Sequence, residues 1–226
     1  MEALKSLWQV FYEPDRVFEE RASFLWPFLL GLLLTVLALW LAMPLISQLQ
    51  LEKLKETMPQ LSEDPAHLAA FRHRMFLFSL LSVIVIYPLK ILLQGLVFHG
   101  VMPLVGGEGE YGHALLAVVY GSWISAVGNL LKAVISRLTG IFPLHLDLAA
   151  LVPADAANSP LAHVLSQIDL FTLWSLWVVG TGLAVLYNTD RRKGYTVVLG
   201  VWVVYLLLLA LLAVFGPGKN FARLGG

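Results

Sequence analysis

The chain has 226 residues, 58% of them hydrophobic and only 13% charged, against roughly 45–50% and about 25% in a soluble domain. Its 15 basic and 15 acidic residues cancel, and it has no cysteine; this removes the electrostatic drive for nucleic-acid binding and excludes disulfides, thiol nucleophiles, iron–sulfur clusters and thiolate zinc sites. Of those 30 charges only Lys90 and Lys132 interrupt the long apolar runs, and the other 28 lie between them, which identifies an integral membrane protein with room for five or six helical crossings of about 20 residues each.

Residues 1–23 hold Leu4, Leu7, Trp8 and Phe11 at helical spacing among Glu2, Lys5, Glu13, Asp15, Arg16, Glu19, Glu20 and Arg21. This predicts an amphipathic interfacial helix, broken at Pro14, with Asp15 capping a second short helix that contains Val17 and Phe18. The segment is net acidic, so aromatic anchoring rather than attraction to anionic lipid would hold it on the membrane. Trp8, Phe11 and Tyr12 are its candidate partner-facing residues. A secretory signal would begin basic, and this segment does not.

The membrane domain is expected over residues 24–216, with spans at about 24–46, 75–98, 114–135, 170–187 and 195–215, and a short tail at 217–226. A polar connection at 47–74 follows the first span. The second apolar run continues to Val105 through Pro88, Lys90, Gly95, His99 and Pro103, which predicts a kink near Pro88 and an exit around Gly95–His99. Gly106-Gly107-Glu108-Gly109-Glu110 reads as a tight turn. Residues 139–167 carry no Lys or Arg, and Leu161, Val164, Leu165 and Ile168 at helical spacing predict an interfacial helix in their second half. Asp190-Arg191-Arg192-Lys193-Gly194 is a basic turn between the last two spans, and Arg191, Arg192 and Lys193 form a second candidate partner surface. Five spans place the termini on opposite sides. With the amino terminus inside, six basic residues face in and seven face out, a balance that leaves the decision to the dense Arg191–Lys193 turn. Short loops weigh most in the positive-inside rule, so the amino terminus is assigned to the cytoplasmic side.

Catalytic signatures are missing. Ser122 in Tyr120-Gly121-Ser122-Trp123 lacks the second glycine of a nucleophile elbow and reads as a packing position. Glu19-Glu20 lacks the arginine that a paired-glutamate protease would carry at position 24, which is Phe24. The six histidines form neither His-x-x-x-His nor His-Glu-x-x-His, and His113, beside Glu108 and Glu110, reads as facing water. No metal, cofactor or phosphate-cradling loop is implied, and the chain is read as a non-enzyme.

Intramembrane polar residues are the better candidates, because an unpaired charge costs about 2.5–3.5 kcal/mol even on the lenient insertion scale. These are Lys90, Asn129, Lys132 and Asp169. Lys132 lies near the end of the third span and Asp169 opens the fourth, so both sit at one membrane face and can form an ion pair. Lys90 can snorkel toward the headgroups. Asn129, with Gly121, Ser125 and Gly128, would give the third span a small, polar face suited to close packing.

Three segments resemble the Yip-one family, the Ypt/Rab-interacting five-span membrane proteins, and its bacterial branch in particular. They are Glu13-Pro14-Asp15-Arg16-Val17-Phe18; Gly112-His113-Ala114 leading to Tyr120-Gly121-Ser122; and Ile168-Asp169-Leu170-Phe171-Thr172-Leu173-Trp174-Ser175-Leu176 followed by Gly180-Thr181-Gly182-Leu183-Ala184 and Arg192-Lys193-Gly194. The resemblance implies an all-α five-helix bundle in a bacterial inner membrane, with a cytoplasmic amino terminus. In eukaryotes it implies vesicle trafficking, Golgi organisation and binding of prenylated small GTPases, served by a longer amino-terminal segment than the 23 residues here.

Together these features favour a non-enzymatic membrane scaffold or adaptor that works with membrane lipids and with membrane-protein partners or further copies of itself. The alternative is a transporter or channel component with a polar path near Lys132 and Asp169. On the scaffold reading, deletion of residues 2–22 is expected to disrupt recovery of partners while leaving the bundle inserted.

Overall fold

The computed structural model describes residues 2–20, 23–57, 65–142, 144–153, 156 and 159–215, with side chains for all of these except 2–4, 53–57 and 65–69. Arg21, the middle of the 47–74 connection and the tail at 217–226 lie outside the described residues. The described chain is helical: α1 (Glu2–Gln9), α2 (Pro14–Glu19), α3 (Leu25–Thr57), α4 (Pro65–Val101), α5 (Tyr111–Thr139), α6 (Pro160–Leu165), α7 (Leu170–Leu186) and α8 (Arg191–Phe215).

Helices α3, α4, α5 and α8 are long and apolar enough to cross a membrane, and α7 is a shorter apolar helix of 17 residues, at the lower limit for a crossing. The molecule is an all-α membrane bundle. Its helices outrun the apolar segments. α3 continues to Thr57 and α4 begins at Pro65, so much of the 47–74 connection is helix extension built from good helix formers such as Leu51, Glu52 and Leu54. α4 is one assigned helix of 37 residues with Pro88 inside it, and it runs through the exit expected at Gly95–His99.

Local chemistry sets the ends. At the start of α5 the Glu110 side chain accepts from the His113 amide while the Glu110 amide donates to His113 Nδ1 at 3.1 Å, a reciprocal cap that satisfies two orphan donors. Asp169 caps α7, its Oδ1 accepting from the Thr172 amide at 2.8 Å. Between α7 and α8, Asn188 takes a left-handed conformation (φ 50°) that a short polar side chain tolerates, and the Thr189 amide closes on the Ala184 carbonyl at 3.0 Å.

α5 is the central helix: 56% of its most apolar window is buried, against 11–17% for α3, α4 and α8. Along α5, Ala117 meets Gly182, Gly121 meets Val179 and Ser175, and Gly128 meets Phe171. The order reverses on α7, so the two helices are antiparallel and approach through small residues. Ser175 reinforces the crossing by donating to the Gly121 carbonyl at 2.9 Å.

The amino-terminal segment is part of this core. Leu7, Val10, Val17 and Phe18 are 0–4% exposed, whereas Trp8 on the opposite face of α1 is exposed. The expected amphipathic helix is present, but its apolar face lies against protein. The reason is polar as well as apolar. The Leu7 carbonyl belongs to the last turn of α1, where carbonyls lack intrahelical partners, and the Trp123 indole donates to it at 3.0 Å. Trp174 donates to the Phe11 carbonyl at 3.2 Å, and the Ser6 hydroxyl lies 3.0 Å from that of Tyr120. Lipid tails supply no such donors.

Candidate functional site

Two places collect the residues that chemistry singles out. The first is the end of the bundle where α2, the 102–110 segment and the α7–α8 turn converge. Asp15 Oδ1 of α2 pairs with Arg191 Nη2 of α8 at 2.8 Å. Tyr187, fully buried, organises the rest: its hydroxyl donates to the Glu110 carbonyl at 3.1 Å and lies 2.9 Å from His99 Nδ1, and its carbonyl accepts from the Glu108 amide at 3.0 Å. Gly107 and Gly109 pass so close to Tyr187 that a Cβ at Gly109 would fall 2.8 Å from the ring. An open cavity of about 630 Å³ lies beside this junction, lined by Glu19, Gly106, Asn188, Thr189, Asp190 and Lys193 among others.

Trp8 is 72% and Tyr12 60% exposed, and Arg192 and Lys193 are exposed too. Phe11 does not join that surface, since its ring packs edge-on against Trp174 with centroids 5.4 Å apart, and Arg191 is engaged by Asp15. His113 faces the protein in its capping role and lies against Tyr187. The Tyr187–His99 contact joins positions 88 apart, with no local pattern to announce it.

The second place is the far third of α5. Lys132 Nζ meets Asp169 Oδ2 at 2.6 Å, with side chains 21% and 9% exposed. Asp169 therefore holds Lys132 with one oxygen and caps α7 with the other. The backbone at Asp169 also pairs with that at Asp147 in an isolated antiparallel bridge, so this residue ties α5, α7 and the connection before α7 together. Burial pushes the Asp169 carboxyl up, but the Lys132 ammonium and the Thr172 and Phe171 amides outweigh it and hold the group below its ordinary value.

The other two intramembrane candidates stand apart. Lys90 is exposed among the exposed Leu89, Leu92 and Leu93, with no hydrogen-bond or ion-pair partner among the described residues. Asn129 is also exposed; the small face of α5 consists of Gly121 and Gly128 without it, because one residue past Gly128 is a rotation of 100° around the helix. A second cavity, of about 460 Å³, lies between α3, α4 and α5. None of Lys90, Asn129, Lys132 and Asp169 lines either cavity.

The three segments that carry the sequence resemblance meet in space. Phe18 packs edge-on against Tyr120 at 5.6 Å between centroids, and Gly182 lies against both Phe18 and Ala117. Comparison with known proteins agrees. The chain is 29% identical over 112 residues to the membrane protein YknW of Bacillus subtilis (strain 168), a stretch that is 49% of this chain and 44% of that relative, so it spans less than half of YknW. No solved structure matches the chain. The Yip1 domain matches residues 8–213, from the docked α1 through nearly all of α8, and the chain belongs to the Yip1 family of membrane proteins.

Proposed function

We propose that the protein is a non-enzymatic membrane scaffold or adaptor that presents its amino-terminal helices and basic turn to a membrane-protein partner on the cytoplasmic side. The observation that carries this reading is the docking of α1 and α2. Two indole hydrogen bonds and four buried apolar side chains hold the segment, and the Asp15–Arg191 pair ties it to the basic turn, which leaves Trp8, Tyr12, Arg192 and Lys193 displayed on fixed elements. Exposed aromatic and arginine side chains on a rigid support are what interface hot spots are made of. The pairing of Asp15 with Arg191 also puts the amino terminus and the densest basic turn on one side, in keeping with the positive-inside assignment.

Deletion of residues 2–22 does not test this, because it strips Leu7, Val10, Val17 and Phe18 from the core. The test is the surface variant W8A/Y12A/R192E/K193E, compared with the native chain by in-membrane crosslinking and identification of the crosslinked proteins. Loss of crosslinked partners at unchanged thermal stability is expected; an unchanged partner set overturns the reading. The alternative of a transporter draws on the Lys132–Asp169 pair inside the bundle, and predicts solute flux into proteoliposomes that D169N abolishes.

A further inference from the structure

The cavity between α3, α4 and α5 is lined by Trp40, Leu41, Met43, Pro44, Ser47, Arg72, Phe76 and Arg137. Two guanidinium groups share it, and among the described residues no carboxylate lines it. Arg72 and Arg137 are exposed, and neither has an ion-pair or hydrogen-bond partner among the described residues. Two unneutralised like charges from different helices repel each other unless an anion lies between them. Apart from Ser47 the remaining lining is apolar and sits on spans that face lipid, which excludes a fully hydrated counter-ion as the whole answer.

The cavity is polarised along the membrane normal. Arg137 lies in the last turn of α5 and Arg72 in the non-apolar start of α4, at the end of the bundle where the apolar segments give out. Trp40, Leu41 and Met43 lie on the other side of Pro44, toward the middle of α3. From Trp40 the exposed side chains of Leu37 and Leu33 continue the same face of α3, at the i, i+4, i+7 spacing of one helical stripe. Pro44 has no N–H to give to the Trp40 carbonyl, and the Ser47 hydroxyl donates to the Pro44 carbonyl at 2.9 Å.

From this arrangement we infer that the α3–α4–α5 cavity is a binding site for an anionic phospholipid. Its phosphate is held between Arg72 and Arg137, where planar guanidinium groups suit phosphate oxygens, and one acyl chain runs down the Trp40–Leu37–Leu33 stripe. Basic pockets between transmembrane helices take anionic headgroups in this way. A volume of about 460 Å³ admits the headgroup and the upper part of a chain, with the rest of the chain in the bilayer. The two guanidinium groups in the lining favour a net negative lipid over a zwitterionic one, whose amine they would repel.

The test is native mass spectrometry of the full chain in mild detergent with equal amounts of phosphatidylglycerol and phosphatidylcholine of matched chains. The wild type is expected to retain phosphatidylglycerol roughly tenfold more than phosphatidylcholine. R72Q/R137Q should bring that ratio close to one, and W40A should lower retention of both lipids. Excess inorganic phosphate should leave the bound lipid in place, because it lacks the acyl chain; displacement by phosphate alone would reduce the site to a phosphate site and overturn the proposal. Equal retention of the two lipids by the wild type, or a preference that survives R72Q/R137Q, also overturns it. Should R72Q/R137Q fail to fold, the R72K/R137K variant, which keeps the charge and loses the planar fork, is expected to keep a reduced preference, and an undiminished preference in it refutes the guanidinium assignment.

Discussion

Replacing Asp169 by asparagine separates the two tasks of this side chain. Asparagine caps helices about as well as aspartate, so the Thr172 contact survives while Lys132 loses its anion. Removing one partner of a fully buried pair costs about 3–5 kcal/mol. Here the Lys132 side chain is 21% exposed and its flexible stem can swing the ammonium toward water or headgroups, so we expect a lower figure, about 2 kcal/mol, for D169N. D169A also removes the cap, worth about 1 kcal/mol, and should cost about 3 kcal/mol. K132M strands the Asp169 carboxylate, only 9% exposed, at about 2 kcal/mol. K132M/D169N removes both charges and should lose about 1 kcal/mol or less, because a buried pair exchanged for uncharged groups is close to neutral.

The cycle then gives a coupling of about 3 kcal/mol, at the upper end of measured pairwise interactions. Thermal unfolding in mild detergent, followed by tryptophan fluorescence, reads it: at roughly 2–4 °C per kcal/mol for a chain of this size, Tm falls about 4–8 °C for D169N and recovers at least about half of that in the double variant. A double variant that loses the sum of the two single losses would refute the assignment of an energetically coupled pair. The pH dependence has a fixed sign. The folded carboxyl lies below its ordinary value of 3.8, so its contribution is complete above that value and is lost as pH falls through the lower folded one. The gap between wild type and D169N should stay constant from pH 5 to 8 and close only in acid below about pH 4.

Other substitutions probe the packing. W123F and W174F each delete an indole donor to a carbonyl of the amino-terminal segment and should cost about 0.5–1.5 kcal/mol, seen as faster tryptic cleavage at Arg16. F18A empties a 1% exposed site and should cost about 3–5 kcal/mol, whereas W8A at a site 72% exposed should stay within about 0.5 kcal/mol in the same melting assay. G128A drives a Cβ into the Phe171 side chain and should lose about 1–3 kcal/mol, while G200A, whose Cβ meets nothing within 4 Å, should hold or raise Tm. The buried Tyr87 hydroxyl has no hydrogen-bond partner among the described residues, so Y87F should raise stability by about 1 kcal/mol; a loss would assign that hydroxyl a partner.

The bundle was legible in the sequence because hydrocarbon thickness imposes its own ruler: apolar runs of about 20 residues announce themselves, and alternating directions put Lys132 and Asp169 at one face without any knowledge of packing. The site at the other end was not. An apolar stripe such as Leu7 and Val10 looks the same whether it will meet lipid or protein, and what decides between them here is a pair of indole donors 116 and 163 positions away. At Asn129 the distinction is finer still: one residue of rotation separates the face of α5 that packs from the face that is exposed.

α7 shows how these two kinds of information combine. By hydropathy it is a short apolar helix like the rest, yet from Val178 to Leu186 every side chain except Val185 is buried, enclosed by α2, α5 and α8. The sign of that enclosure is the run Gly180-Thr181-Gly182-Leu183-Ala184, where Tyr195 and Gly194 close on one side and Phe18 on the other. A helix surrounded by lipid gains nothing from small side chains, because tails fill any groove, whereas a helix surrounded by protein needs them for close approach. The segments that resemble the family are therefore those that build one junction: Phe18 of the first, Tyr120 of the second and Gly182 of the third. The family signature in this chain marks the place where the amino-terminal helices are locked to the bundle.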